Sequence, residues 1–406
     1  MAALVDAPQA PFFVARILVL ANTTWNLVNF RSGLIRALVE DGHEVLACAP
    51  ADRWVPALQA LGCRHCAVPL DQQGTHPWHD ALLLGRLLRL MWRERPHVLL
   101  GFTVKPNVYG SIAARACNLM GRQVAVINNV AGLGATFIQP SWVTWVVKYL
   151  YRLALRRSST VFFQNADDRD LFLRYALAVQ DQCVLLPGSG VDLQHYSPAP
   201  PTTATAPNGD GLFRFLMVSR LLWDKGLGEL VEAAHLVRRA RPQVRVQVLG
   251  FLDVKNPSAV SREQIQQWQG EGHIEYLGCS DDPRAALVQA DCVVLPSYRE
   301  GTPRSMLEAA AMAKPLITTD VPGCRRVVDH GVNGWLCRMR DAQDLADKML
   351  AMVDLPAPTR AAMGQASRLK VEREFDEQRV LEQYRSAIGL ALGRLNNTAL
   401  VQQPRN

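Results

Sequence analysis

No apolar run in this 406-residue sequence is long enough to cross a bilayer. Stretches such as residues 81–84 and 143–147 are far too short and too interrupted to span one. The start, MAALVDAPQAPFFVAR, carries Asp6 and no basic stretch ahead of its apolar residues, so no secretory leader is expected. Nine cysteines, an odd number without framework spacing, exclude a disulfide scaffold and point to a reducing cytosol. The lone Cys63-x-x-Cys66 has no second pair, and is expected as structural cysteines in an edge strand. No helix-turn-helix, zinc-finger or RNP pattern is present, which counts against nucleic acid as a partner. Asp168-Arg-Asp170 has the D-x-D form of a metal site, but Asn165 stands ahead of it as a helix cap would. The acids then suit a helix start, and no metal is expected.

The sequence does hold an alternation of strand-like and helix-period segments, and its length exceeds a single core. Residues 17–22, 45–50, 98–103, 124–130 and 161–165 read as buried parallel strands. Residues 197–211, SPAPPTTATAPNGDG, break the pattern as a linker. Strands resume at 213–218, 244–250, 274–278, 292–296 and 315–319. This predicts an α/β protein of two doubly wound domains, 1–196 and 212–370, with a ligand at the strands' carboxyl ends. A last long helix over about 371–392 places Phe375, Leu381, Tyr384 and Ile388 on one face, and a disordered tail is expected from 395. The net charge of +7 is uneven: residues 1–196 hold 18 Lys/Arg against 13 Asp/Glu. A basic first half suits anionic lipid or a phosphate-bearing substrate.

The most informative stretch is Ser297–Ala311, SYREGTPRSMLEAAA. Glu300 lies in a Gly/Pro-broken loop after an apolar strand, and Glu308 falls eight residues on in the opening turns of a helix. Strand, tight loop and helix start make an anion site, because free amides and the positive end of the helix dipole point one way. A carboxylate beside an anion site suits hydroxyls or developing positive charge. A nucleotide-sugar supplies both. Arg220 and Lys225, in a second strand-loop-helix segment, supply the charge a departing diphosphate needs.

Glu300-Gly301-Thr302-Pro303-Arg304-Ser305 with Glu308 resembles the E-x7-E donor motif of retaining GT-B glycosyltransferases of family 4, and Val218–Gly226 resembles their phosphate-gripping segment. Asn29-Phe30-Arg31, Gly74-Thr75-x-Pro77, Gly101–Gly110 and Gly132-x-Gly134 are similar to the subgroup that extends undecaprenyl-diphosphate-linked sugars. The resemblance implies a GT-B fold, two Rossmann-like domains facing across a cleft, with residues 371–394 crossing back to the first. It implies Glu300, Arg220 and Lys225 as the catalytic set, Glu300 holding the sugar and the two cations the diphosphate. Gly301, Thr302, Pro303, Arg304 and Ser305 would bind the donor, with Glu308 on its ribose. Asn29, Arg31, Lys105, Gly132 and Gly134 are the acceptor-side candidates. Many relatives place a histidine against the donor sugar; none stands near residues 130–136, leaving that role vacant or to Asn128 or Asn129.

The expected activity is transfer of a sugar, an N-acetylhexosamine such as GalNAc, from a UDP-sugar to an undecaprenyl-diphosphate-linked sugar, with no cofactor or metal. A UDP-sugar 2-epimerase and a non-catalytic nucleotide-sugar-binding subunit are the alternatives. In residues 141–157, Lys148, Arg152 and Arg156 recur at helical spacing among Trp142, Trp145 and Tyr149, as a membrane-facing stripe would; a solvated helix face is the other reading. The protein is therefore expected in the cytoplasm, peripheral on the inner face of the plasma membrane.

Overall fold

The computed structural model describes residues 14–70, 77–132, 142–198, 210–252 and 256–401. Gly74, Thr75, Gly134 and nearly all of the expected linker lie outside these residues.

Two sheets organise the chain. The first has seven strands, β1 Arg16–Leu20, β2 Glu44–Ala49, β3 Arg64–Ala67, β4 Val98–Phe102, β5 Ala125–Val130, β6 Thr160–Phe163 and β7 Cys183–Leu185. Their order is β3-β2-β1-β4-β5-β6-β7. The second has β8 Phe213–Val218, β9 Val244–Leu249, β10 Glu275–Tyr276, β11 Cys292–Leu295, β12 Leu316–Thr319 and β13 Gly334–Cys337. It is parallel throughout, in the order β10-β9-β8-β11-β12-β13. Each sheet runs outward from its first strand and then reverses, so each has a switch point, β1/β4 and β8/β11, where loops diverge at the strands' carboxyl ends. The chain is an α/β protein with two doubly wound sheets, as expected.

The central strands β1, β4 and β11 are apolar without alternation, as in a sheet covered by helices on both faces. β1, RILVL, is buried over its last four residues and pairs Ile17 with Val45 and Val98. The following helix, Thr24–Glu40, starts where the Thr23 side chain accepts from the Asn26 amide. It ends against the chain turn at Gly42, whose φ is 81°.

Two compact units share the chain: residues up to Asn129 with Leu153–Val161 and everything from Tyr384 on, and Val130–Arg152 with Phe162–Gln383. The expected last helix is in fact two, Ala357–Glu374 and Glu377–Val401. The break has a cause the sequence hides: Val191 N–H donates to the Phe375 carbonyl at 2.9 Å, and Glu377 N–H donates to the Val191 carbonyl at 3.1 Å. A strand-like bridge thus interrupts the helix. Phe375, Leu381, Tyr384 and Ile388 are all buried, as their shared spacing predicts.

Candidate functional site

The switch point of the second sheet brings two loops together. The loop after β8 carries Arg220 and Lys225 and turns at Gly226, φ 75°, which opens the Leu227–Ala240 helix. A Cβ there would lie 2.0 Å from the Pro296 carbonyl oxygen, so only glycine lets the two loops touch. The loop after β11 answers with hydrogen bonds from Tyr298 N–H, 2.9 Å, and the Ser297 hydroxyl, 3.2 Å, to the Asp224 carbonyl. This pairing sets Lys225 Nζ 2.5 Å from Glu300 Oε1, with side chains only 13% and 15% exposed. The cation and carboxylate assigned to opposite ends of the donor are thus ion-paired with each other. Arg220 stands exposed at the start of the first loop.

Beyond Glu300 the chain enters the Arg304–Ala311 helix, with Pro303 at its cap. Gly301, Thr302 and Pro303 are buried, and Arg304 and Ser305 half-buried. The Arg304 guanidinium donates to Glu308 Oε1 at 2.9 Å. Burial pushes the Glu308 carboxyl above its usual range, against the pull of Arg304 and a hydrogen bond from Tyr196. Glu308 therefore already holds two partners that a ribose hydroxyl must share.

The segment opening the Ala166–Arg174 helix supports the Glu300 loop. Asn165 caps that helix, its side-chain oxygen accepting from Asp168 N–H at 2.8 Å, as the capping reading of these residues expects. Its Nδ2 also donates to the Gly301 carbonyl at 3.0 Å. The buried Asp168 carboxylate accepts from Arg299, the residue before Glu300. Burial pushes this carboxyl up and Arg299 draws it back. The Gln164 carbonyl accepts from the Thr302 hydroxyl, 3.0 Å, and from Arg326, 2.7 Å. Glycines close the remaining space: a Cβ on Gly301 would lie 2.0 Å from the Ala131 carbonyl oxygen, and one on Gly323 2.4 Å from that of Glu300. Gln164, Asn165, Asp168, Arg299 and Arg326 carried no sequence signal for this contact. A helix cap looks the same whether or not a loop more than 130 residues away rests on it.

Several acceptor candidates are placed differently from expectation. Gly132, φ 134°, lies against the Glu300 loop: a Cβ there would stand 3.1 Å from the Gly301 amide nitrogen. Lys105 is ion-paired with Asp80 at 2.6 Å, and Tyr109 donates to the same carboxylate at 2.8 Å, which neutralises the cation assigned to a diphosphate. Arg31 is buried, its guanidinium 4.5 Å above the Phe102 ring and one nitrogen donating to the Phe30 carbonyl at 3.0 Å. Asn29 donates back to the Trp25 carbonyl at 3.0 Å. Asn128 and Asn129, the candidates for the histidine's role, are both buried. The Asn128 amide donates to Ser111 and Ser158, both at 2.9 Å, and the Asn129 amide to the Tyr384 hydroxyl at 2.7 Å.

At β4, Gly101 is enforced by side chains. A Cβ there would lie 2.6 Å from both the Asn107 and Asn128 Oδ1 atoms. Thr103, two residues on, holds φ 70° and ψ 167° at the cap of the Val104–Leu119 helix. That is a glycine-like conformation, and such strain gathers at functional turns.

The helix Trp142–Leu155 exposes Trp145 (71%) and Tyr149 (58%), stacked with centroids 6.1 Å apart, and Arg152, Arg156 and Arg157 extend the exposed face. Lys148 departs from this stripe, its Nζ lying 3.5 Å over the Tyr175 ring. The Trp142 side chain lies outside the described residues. Among the described residues no helix is long and apolar enough to cross a membrane.

Comparison with known proteins covers both halves. Residues 206–370 match the model of the glycosyl transferases group 1, and residues 29–188 that of a glycosyl transferase 4-like domain. The N,N'-diacetylbacillosaminyl-diphospho-undecaprenol alpha-1,3-N-acetylgalactosaminyltransferase of Campylobacter jejuni is 26% identical over 84% of this chain and 89% of its own. A glycosyltransferase from Rickettsia africae superposes with a TM-score of 0.75 at 17% identity, covering 93% of this chain and 99% of that one. Anabaena HepE, solved with UDP and glucose, gives 0.73 at 17% identity, covering 92% and 99%. With the ion-paired loops at the β8/β11 switch point inside the first match, the chain carries a glycosyl transferases group 1 domain behind a glycosyl transferase 4-like domain and is a glycosyltransferase of GT-B fold.

Proposed function

We propose that this chain transfers a sugar, an N-acetylhexosamine such as GalNAc, from a UDP-sugar to an undecaprenyl-diphosphate-linked sugar, with retention at the anomeric carbon. One observation carries the reading: Lys225 and Glu300 meet at 2.5 Å beside the start of the Arg304–Ala311 helix. There a diphosphate finds a cation and a helix N-terminus, and a sugar finds a carboxylate. The acceptor class is supported by the Campylobacter relative, whose name specifies a diphospho-undecaprenol substrate.

In this scheme the acceptor hydroxyl attacks the anomeric carbon from the face UDP leaves. The sugar–phosphate bond breaks, and the departing phosphate oxygen takes the hydroxyl's proton. Lys225 and Arg220 offset the charge growing on UDP, while Glu300 holds sugar hydroxyls and faces the positive charge developing on the ring. Glu308 accepts from the ribose. Charge neutralisation by these cations leaves no role for a metal, and Asp168 is taken up by Arg299 and Asn165. Turnover should therefore survive EDTA; loss in chelator with recovery on Mn²⁺ or Mg²⁺ would return Asp168 and Asp170 to candidacy.

The acceptor's polyprenyl tail stays in the bilayer, so the enzyme works peripherally on the cytoplasmic face of the plasma membrane. The exposed face of Trp145, Tyr149, Arg152 and Arg156 suits an anionic leaflet. The reading is tested by screening UDP-sugars against short polyprenyl-diphosphate sugars, with mass spectrometry of the products. UDP release from a donor with no acceptor added is the outcome that favours a UDP-sugar 2-epimerase instead.

A further inference from the structure

Glu300 sits in a loop with no regular structure of its own, yet catalysis by a carboxylate tolerates only a small misplacement. Something must hold the loop. The flanking residues Arg299 and Gly301 are held by two side chains of one helix start. Asn165 Nδ2 lies 3.0 Å from the Gly301 carbonyl oxygen, and Arg299 donates to Asp168 Oδ1. Asn165 Nδ2 also lies 3.1 Å from Asp168 Oδ2, which ties the two holds into one unit. Asn165 and Asp168 are fully buried, and all these residues lie in one compact unit.

Helix capping alone does not account for this set. A cap needs only the Asn165 oxygen facing the Asp168 amide. It asks nothing of the Asn165 nitrogen or the Asp168 carboxylate. Burying a carboxylate to meet a guanidinium is costly, so the pair is weak evidence for stability and its geometry is the more informative feature. We propose that Asn165 and Asp168 are positioning residues for transfer, acting on Glu300 through the Gly301 carbonyl and the Arg299 guanidinium. The inference rests on the reading of Glu300 as the carboxylate at the reacting sugar.

A double-mutant cycle tests it, with kcat, donor KM and UDP affinity measured for Asp168→Asn, Glu300→Gln and the pair. Asp168→Asn keeps the size of the side chain and removes the charge that holds Arg299. It should lower kcat about 10-fold or more with UDP affinity within about 2-fold of wild type. In the Glu300→Gln background the same change should add almost nothing, because the group being positioned is already gone. A merely structural role would lower kcat by the same factor in both backgrounds, and that result, or wild-type kcat in Asp168→Asn, overturns the proposal. Wild-type turnover in Glu300→Gln alone overturns the reading of Glu300 instead. Should Asp168→Asn fail to fold, Asn165→Ser carries the same cycle: serine keeps the cap and loses the donor to Gly301.

Discussion

Replacing Glu300 by glutamine separates the chemistry of this site from its binding. The Lys225–Glu300 pair is 2.5 Å long and mostly shielded from water, so UDP's diphosphate and Glu300 compete for one cation. Glutamine fills the same space and still accepts a hydrogen bond from Lys225, but without charge. A hydrogen bond to a charged group is worth about 1.5–3 kcal/mol and the bond to Lys225 keeps one of its two charges, so the competition weakens by about 1 kcal/mol. UDP should then bind Glu300→Gln as tightly as wild type, or up to about 5-fold more tightly. Turnover should move the other way. Removing one fixed group aimed at charge in the transition state costs about 10²–10³-fold, or roughly 2.7–4 kcal/mol. Isothermal titration with UDP and steady-state kinetics on the same preparations measure both. UDP should also raise the melting temperature of the variant more than that of wild type, because the diphosphate replaces the partner Lys225 has lost. Weakening of UDP affinity in step with turnover would show that Glu300 serves nucleotide binding, and the division of labour would be wrong.

Changing Arg152, Arg156 and Arg157 to Glu should release the protein from anionic vesicles, since three cations contribute about 3 kcal/mol and hence roughly 10²-fold in partitioning. Turnover of a short, water-soluble acceptor should barely change; vesicle binding that persists would make the exposed arginines a solvated face. Cys66 should alkylate with a rate that rises through pH 7, because a hydrogen bond from Cys48 and the charge of Arg64 bring its thiol down to about 7 against the opposing effect of burial. Peptide mapping after a timed pulse of iodoacetamide reads this, and a midpoint above pH 8.5 would contradict it. Glu308→Gln should change how stability depends on pH. The Glu308 carboxyl is raised by burial, so the folded state holds its proton more tightly than the unfolded one. Its contribution to stability is therefore greatest at low pH and falls as pH rises through the folded pKa. Urea unfolding at several pH values from 4 to 7 should show wild type losing ground to the variant on the way up, and the opposite slope would refute the assignment.

Sequence alone determined the elements whose cause is local. Continuous apolar runs specified buried parallel strands, and the period of the last segment put Phe375, Leu381, Tyr384 and Ile388 in the core, because each pattern has one way to bury its face. The placement of Lys225 and Glu300 in loops after strands and of Glu308 in a helix was legible because a strand, a glycine turn and a helix start follow one another directly in the chain. β7 and β13 were not: β7 has only three half-buried residues, and β13 opens on a glycine directly after turn residues. Asp168 could be placed at a capped helix start but not against Arg299, since a cap is satisfied within four residues and its other partners are not. Lys105 read as a free cation because Asp80, which neutralises it, is 25 residues away. The break at Phe375 was hidden for the same reason: the amide and carbonyl of Val191 that end the helix come from 184 positions earlier. Tertiary structure alone decided which charges meet, because a side chain's residue type limits what it can bind but not what the fold brings to it.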